Sequence, residues 1–198
     1  MSAMDGKFFP KTRFDVTDVV GPLTLGRLAF LVGLGAVLIL LERSFRWPLQ
    51  LPGHHGLEAM ALLTMGRLSC TSRWSATIVG ASAATTASLA GVDHGVLMPL
   101  FYVVPGIAID LGYAASPRAR RWVVYLPLLA ALAFATKPLM RWGAQLGFGL
   151  EFGSLRHGLM LPVLTHLVFG FVGALIAVML WRAAGVMPRR KSESDAGT

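Results

Sequence analysis

Six apolar blocks, parted by short stretches that hold most of the charge, run along the 198 residues. The first, 22–42, has no charge from Leu28 to Leu41 and ends in Glu42, Arg43 and Arg46. The second, 57–70, is short, with barely two uncharged turns between Glu58 and Arg67. At about 1.5 Å per residue it falls short of a bilayer core of about 30 Å, so an irregular helix shielded by its neighbours is predicted. In the third block, 75–91, all residues but Ile78, Val79 and Leu89 are Ala, Gly, Ser or Thr. Such a helix gains more from close backbone approach than from lipid, which predicts a place in the bundle interior. The fourth block, 94–115, contains Pro99, Pro105 and Asp110. The fifth, 122–141, contains Pro127 and is predicted to end near Lys137 and Arg141, before a Gly-rich loop from Gly143 to Gly158. The sixth, 158–181, lacks Asp, Glu, Lys and Arg altogether.

This pattern predicts an all-α, polytopic membrane bundle of about six transmembrane helices, the second short or irregular. The expected organisation is a cytoplasmic segment 1–20, one transmembrane bundle 21–183 and a basic, then polar, disordered tail 184–198. Charge orients it. With both termini cytoplasmic, twelve Lys and Arg residues lie inside and five outside (Arg43, Arg46, Lys137, Arg141 and Arg156), with Arg27 inside the first span. The positive-inside bias favours that arrangement in a bacterial inner membrane. It depends on the second block crossing.

Composition agrees. The chain is 55% hydrophobic and 14% charged, against nearer a quarter charged in soluble domains. Its net charge of +8 brackets the apolar blocks and forms no continuous basic face, so no nucleic-acid partner is expected. No small-x-small cleavage pattern follows the first block, so no cleaved signal is expected. The single cysteine, Cys70, cannot close an intramolecular disulfide and reads as a small buried residue. The phosphate-cradling glycine loop, the G-x-S-x-G elbow and the HExxH helix are all missing, so no enzyme and no cofactor is expected. Uphill movement of a solute would draw on a partner or an ion gradient.

The densest polar feature is Leu51-Pro-Gly-His-His-Gly-Leu-Glu58. It closes the stretch 43–56, which reads as a loop or a re-entrant turn at the interface; Pro52, Gly53 and Gly56 permit a tight turn, and His54, His55 and Glu58 supply imidazole and carboxylate. Three readings stay open: a ligand site or lid, a transition-metal site, and an interfacial turn with solvated histidines. Asp93-His94, between the third and fourth blocks, is either a helix cap or a polar wall of the same mouth. His166 lies inside an apolar span, either bonded to a Ser or Thr of the third helix or facing a ligand. Glu151 and His157 belong to the last outer loop. A metal-binding alternative would use His54, His55, His94 and His157. Haem is not favoured, with only one histidine inside a span. Trp47, Trp74, Tyr102 and Trp142 suit either stacking on a planar solute or interfacial anchoring. Arg27 and Asp110 stand at similar depths on the inner side, where either they pair or Arg27 snorkels to the headgroups. Ala29-xxx-Gly33 and the stripe Gly170, Gly173, Ala174, Ala177 are small-residue faces for another helix, within the bundle or on a partner.

In size, six short blocks, a long first outer loop and an Ala/Gly-rich interior, the chain resembles the substrate-binding S components of energy-coupling factor (ECF) vitamin transporters. Pro99-Leu-Phe-Tyr-Val-Val-Pro-Gly-Ile-Ala-Ile-Asp110 is similar to their fourth-helix region, an aromatic, then Pro-Gly, then an acidic residue. The resemblance implies a small micronutrient bound near the outer face beneath the first loop. His54, His55 and Glu58 would then lie in the lid, with His94, His166 and Tyr102 completing a substrate site. It also implies a transmembrane coupling subunit with ATPase subunits, meeting the first helix at Ala29 and Gly33 beside Arg27. The second small residue here is Gly33 where the family often carries Ala.

Overall fold

The computed structural model describes residues 22–44, 51–91, 95, 97–119, 122–156 and 158–184. Among them are six α-helices and no strand: α1 Leu25–Ser44, α2 Gly56–Ser69, α3 Ser75–Leu89, α4 Met98–Ala115, α5 Tyr125–Phe148 and α6 Met160–Ala183. A single 3-10 turn, Gly153–Leu155, interrupts the last connection. The all-α expectation holds. Among the described residues three helices are long and apolar enough to cross a membrane: α1, α4 and α6. Large apolar side chains on their outer faces are exposed, among them Leu40, Leu100, Leu164 and Val168.

Successive helices reverse direction. One end of the bundle collects Glu42, the start of α2 and the start of α4; the other collects Arg67, the start of α3 and Asp110. They are called here the Glu42 end and the Asp110 end. Small residues set the helix spacing. Added side chains would meet backbone at Gly35 (the Val79 carbonyl, 2.5 Å), at Gly106 (the Ala76 carbonyl, 2.7 Å) and at Gly80 (the Tyr102 carbonyl). α3 therefore sits between α1 and α4 with Ala76, Val79, Ala83 and Ala87 buried, as its composition predicts.

Sequence expectations need correcting at two elements. α2 is short, as expected, at fourteen residues, but it is regular and not irregular. Nine of its residues are buried, packed mainly against α6, α3 and α1. α5 does not end at Lys137 and Arg141. It runs on to Phe148, through Gly143, and stops at Gly149, whose φ of +66° suits the left-handed residue that ends a helix. Lys and Pro are stop signals in a sequence. Here Lys137 and Pro138 are both buried within the helix.

α2 also starts deep. Gly56 lies against the Phe134 ring and Gly173 against the Leu57 carbonyl. Gly173 is thirteen residues into α6, so the first turn of α2 lies roughly 20 Å below the α6 N-terminus at 1.5 Å per residue. α5 and α6 overtop α2, and the Pro52–His55 turn is set down between them. The turn read from Pro52 and Gly53 is observed, closed by the Gly56 amide donating to the Gly53 carbonyl at 2.8 Å.

Candidate functional site

Polar chemistry gathers at both ends of the bundle. At the Asp110 end the arrangement is closed. Trp74, in the N-cap position of α3, offers no capping side chain, so the first amides of that helix need another acceptor. Asp110 of α4 supplies it. Its Oδ1 accepts from the Ala76 amide at 3.2 Å, and its Oδ2 accepts from the Thr77 amide at 2.7 Å and the Thr77 hydroxyl at 2.8 Å. The Arg67 guanidinium donates to Oδ1 at 3.0 Å and to the Cys70 carbonyl at 2.8 Å, and lies over the Tyr113 ring. Carboxylate, helix N-terminus and arginine compensate one another in a buried setting. The partner of Asp110 is thus Arg67, not Arg27, whose guanidinium donates to the Pro22 carbonyl at 2.8 Å. A hollow of about 250 Å³ adjoins the pair, bounded also by Cys70 and Arg73.

The Glu42 end is more open in its chemistry. His54 Nδ1 donates to the Leu51 carbonyl at 2.8 Å, and the His54 and His55 rings lie 4.0 Å apart. His55 Nδ1 faces Glu58 Oε2 at 3.5 Å. Under this turn His166, 2% exposed, donates from Nδ1 to the Pro162 carbonyl at 2.7 Å and stacks on Phe134 with centroids 4.6 Å apart. The expected Ser or Thr partner from α3 is replaced by a carbonyl of α6 itself. That bond leaves Nε2 of the neutral ring as an acceptor.

One turn along α5 from Phe134 stands Lys137, 8% exposed. Its ammonium lies 4.8 Å from the Tyr102 centroid and 5.0 Å from that of Phe134. Tyr102 is buried and donates its hydroxyl to Glu42 Oε2 at 2.8 Å, which leaves its ring as a wall beside the lysine. Glu42 attracts the ammonium and Arg141 repels it, and among the described residues no carboxylate lies within ion-pair distance. Arg141 lies over Phe101 at 5.0 Å and donates to the Ser154 hydroxyl at 3.3 Å, while its Nε is buried without a hydrogen bond. Two ring faces return about 2 kcal/mol or more each to a desolvated cation, against several kcal/mol for taking the ion out of water.

The structure thus brings His54, His55, Glu58, His166 and Tyr102 to one end of the bundle. Their neighbours Lys137, Arg141, Glu42 and Phe134 were missed by sequence reasoning, which took the charged three for the ends of spans. The missed signal was the i, i+4 spacing of Lys137 and Arg141, which puts both on one helix face. His94, His157, Asp93 and Trp47 lie outside the described residues. Glu151 is exposed beside a second hollow of about 350 Å³ with Gln145 and Arg156. Trp142 is also exposed, and Trp74 is half-buried under Arg73. Among the described residues no group of three His, Cys, Asp or Glu side chains is placed to hold a metal. Ala29 and Gly33 are exposed on α1, away from the face that packs on α3. The α6 stripe Gly170, Gly173, Ala174, Ala177 is internal.

Gly53 ties the turn to the site. Its φ is +88°, and an added side chain would meet His166 Nδ1 at 2.6 Å. Gly53→Ala is expected to cost about 2 kcal/mol, combining a left-handed backbone penalty with displacement of the imidazole. Chemical denaturation of the purified protein would measure it; a change below about 0.5 kcal/mol, the size of an ordinary surface substitution, would contradict this placement of the turn.

No protein-family model, no curated protein and no solved structure matches the chain.

Proposed function

We propose that the protein is an integral membrane component that captures a small micronutrient, a vitamin, a precursor or a similar solute, at the Glu42 end and hands it on with a coupling partner. The observation that carries this reading is the polar turn sunk between α5 and α6, directly over a buried His166 and Phe134. Ionisable groups within an apolar helical bundle are costly, and they mark solute or ion pathways more often than structural joints. In this reading all six helices cross the membrane, α2 and α3 shielded by the longer four. The Glu42 end faces outward, both termini are cytoplasmic, and the membrane is a bacterial inner membrane. The resemblance to ECF S components supports the same assignment. The exposed Ala29 and Gly33 give α1 a flat strip, beside Arg27, for a transmembrane coupling subunit that works with ATPase subunits.

Thermal unfolding in detergent, against B vitamins, their precursors and divalent metals, tests the proposal. One organic compound is expected to raise the melting temperature; a ligand at a hundred times its dissociation constant adds about 2.7 kcal/mol. The shift should vanish in a His55→Ala, Glu58→Ala variant. A response to Ni²⁺, Co²⁺ or Zn²⁺ alone would replace the proposal with a metal-uptake permease subunit. A response to nothing would favour a non-catalytic accessory subunit of a larger membrane complex.

A further inference from the structure

The solute class follows from the two cations of α5. Lys137 is more than nine-tenths buried and carries three N–H donors, and among the described residues its ammonium lies against the ring faces of Tyr102 and Phe134. One turn on, the Nε of Arg141 is buried and makes no hydrogen bond. Residues four apart on a helix have their β-carbons about 5–6 Å from each other, close enough for one ligand group to bridge the two side chains. The carboxylates nearby are already engaged. Glu42 accepts from the Tyr102 hydroxyl, and Glu58 faces His55. Phe101 lies against Arg141, and Tyr102 and Phe134 lie against Lys137, so hydrocarbon borders both cations. Arg141 and Glu42 are the charged groups that act on Lys137, and His166 is held through a single carbonyl bond.

The geometry points to an organic carboxylate as the captured solute, its carboxylate seated between Lys137 Nζ and Arg141 Nε. This rests on the solute-binding reading above and narrows it. A carboxylate offers about four lone-pair positions to the Lys137 ammonium and the unbonded Arg141 Nε, and charge-assisted hydrogen bonds of this kind are the strong ones. The rings of Phe101 and Tyr102 would then border the body of the solute, and the Pro52–His55 turn would lie on its far side, over His166.

Matched pairs of acid and amide test the inference: nicotinate with nicotinamide, benzoate with benzamide, and biotin with biotinamide. Each pair is added to the full-length protein in detergent, with melting temperature and equilibrium binding as readouts. At least one acid is expected to raise the melting temperature while its amide does not. Lys137→Met should weaken that acid by on the order of a hundredfold, the scale for removing one partner of a buried charged contact, and Lys137→Arg should restore part of it. Lys137→Gln serves the same purpose if the Met variant does not purify as folded protein. Equal behaviour of acid and amide in every pair, or an acid response that survives in the neutral variants, overturns the inference. A response to an amide or another neutral compound would leave solute capture standing and remove only the carboxylate seat. Silence across these pairs and the wider panel would remove both.

Discussion

Asp110→Ala is expected to lower the stability of the bundle by about 3–5 kcal/mol, the scale for breaking a buried ion pair by removing one partner. Three losses coincide. Arg67 keeps its positive charge at 6% exposure, with the Cys70 carbonyl and the Tyr113 ring as its remaining named partners. The Ala76 and Thr77 amides lose the acceptor that Trp74 cannot provide. The start of α3, which carries the packing between α1 and α4, then has unsatisfied donors in an apolar setting. Asp110→Asn keeps one acceptor and the shape, so its effect should be about half as large. Arg67→Met should be the mildest of the three, since α3 amides and Thr77 still hold the carboxylate. A double-mutant cycle over Arg67 and Asp110 should give a coupling of about 1.5 kcal/mol or more. If Asp110→Ala and a surface substitution proved equally stable, the carboxylate would not be capping α3.

Gly173→Ala should be nearly as severe and should act at the other end. The added methyl group would meet the Leu57 carbonyl, with Leu57 Cα at 2.9 Å. Those are backbone atoms in the first turn of α2, so relief requires α2 to move as a unit. Overpacking of this kind costs about 1–3 kcal/mol and more where backbone must shift; about 3 kcal/mol is expected here. Because Leu57 follows directly on the Pro52–Gly56 turn, the same substitution should displace His55 and Glu58 and weaken solute binding by more than the stability loss predicts. Gly33→Ala is the internal control. Nothing lies within 4 Å of the position where its methyl group would stand, so the fold should tolerate it. A Gly173→Ala protein with unchanged stability would mean that α2 does not sit this deep against α6.

Several features were legible in the chain alone because they depend on local or compositional physics. Apolar blocks long enough for helices, parted by Pro, Gly and charge, yield the six helices and their order. An Ala/Gly/Ser/Thr run cannot form a lipid-facing helix of much stability, so the interior place of α3 followed from its composition. Pro52 and Gly53 announced the turn, and His166, an imidazole in an apolar run, announced a buried polar group.

Only the tertiary structure decided the rest, since in each case the deciding partner is far away in sequence. Lys137 and Pro138 read locally as a helix end; burial against Tyr102, thirty-five residues earlier, turns them into the inside of a longer helix. Asp110 was legible as a costly buried charge, but Arg27 and Arg67 were equally available to it by composition. The choice fell to Arg67 because α2 and α4 meet at the N-terminus of α3, where the carboxylate satisfies two amides as well as a cation. The depth of α2 is set by Gly56 and Gly173, where the absence of a Cβ lets a ring and a carbonyl approach. Sequence can say that a glycine allows close approach; which backbone takes the space is settled only when the helices pack.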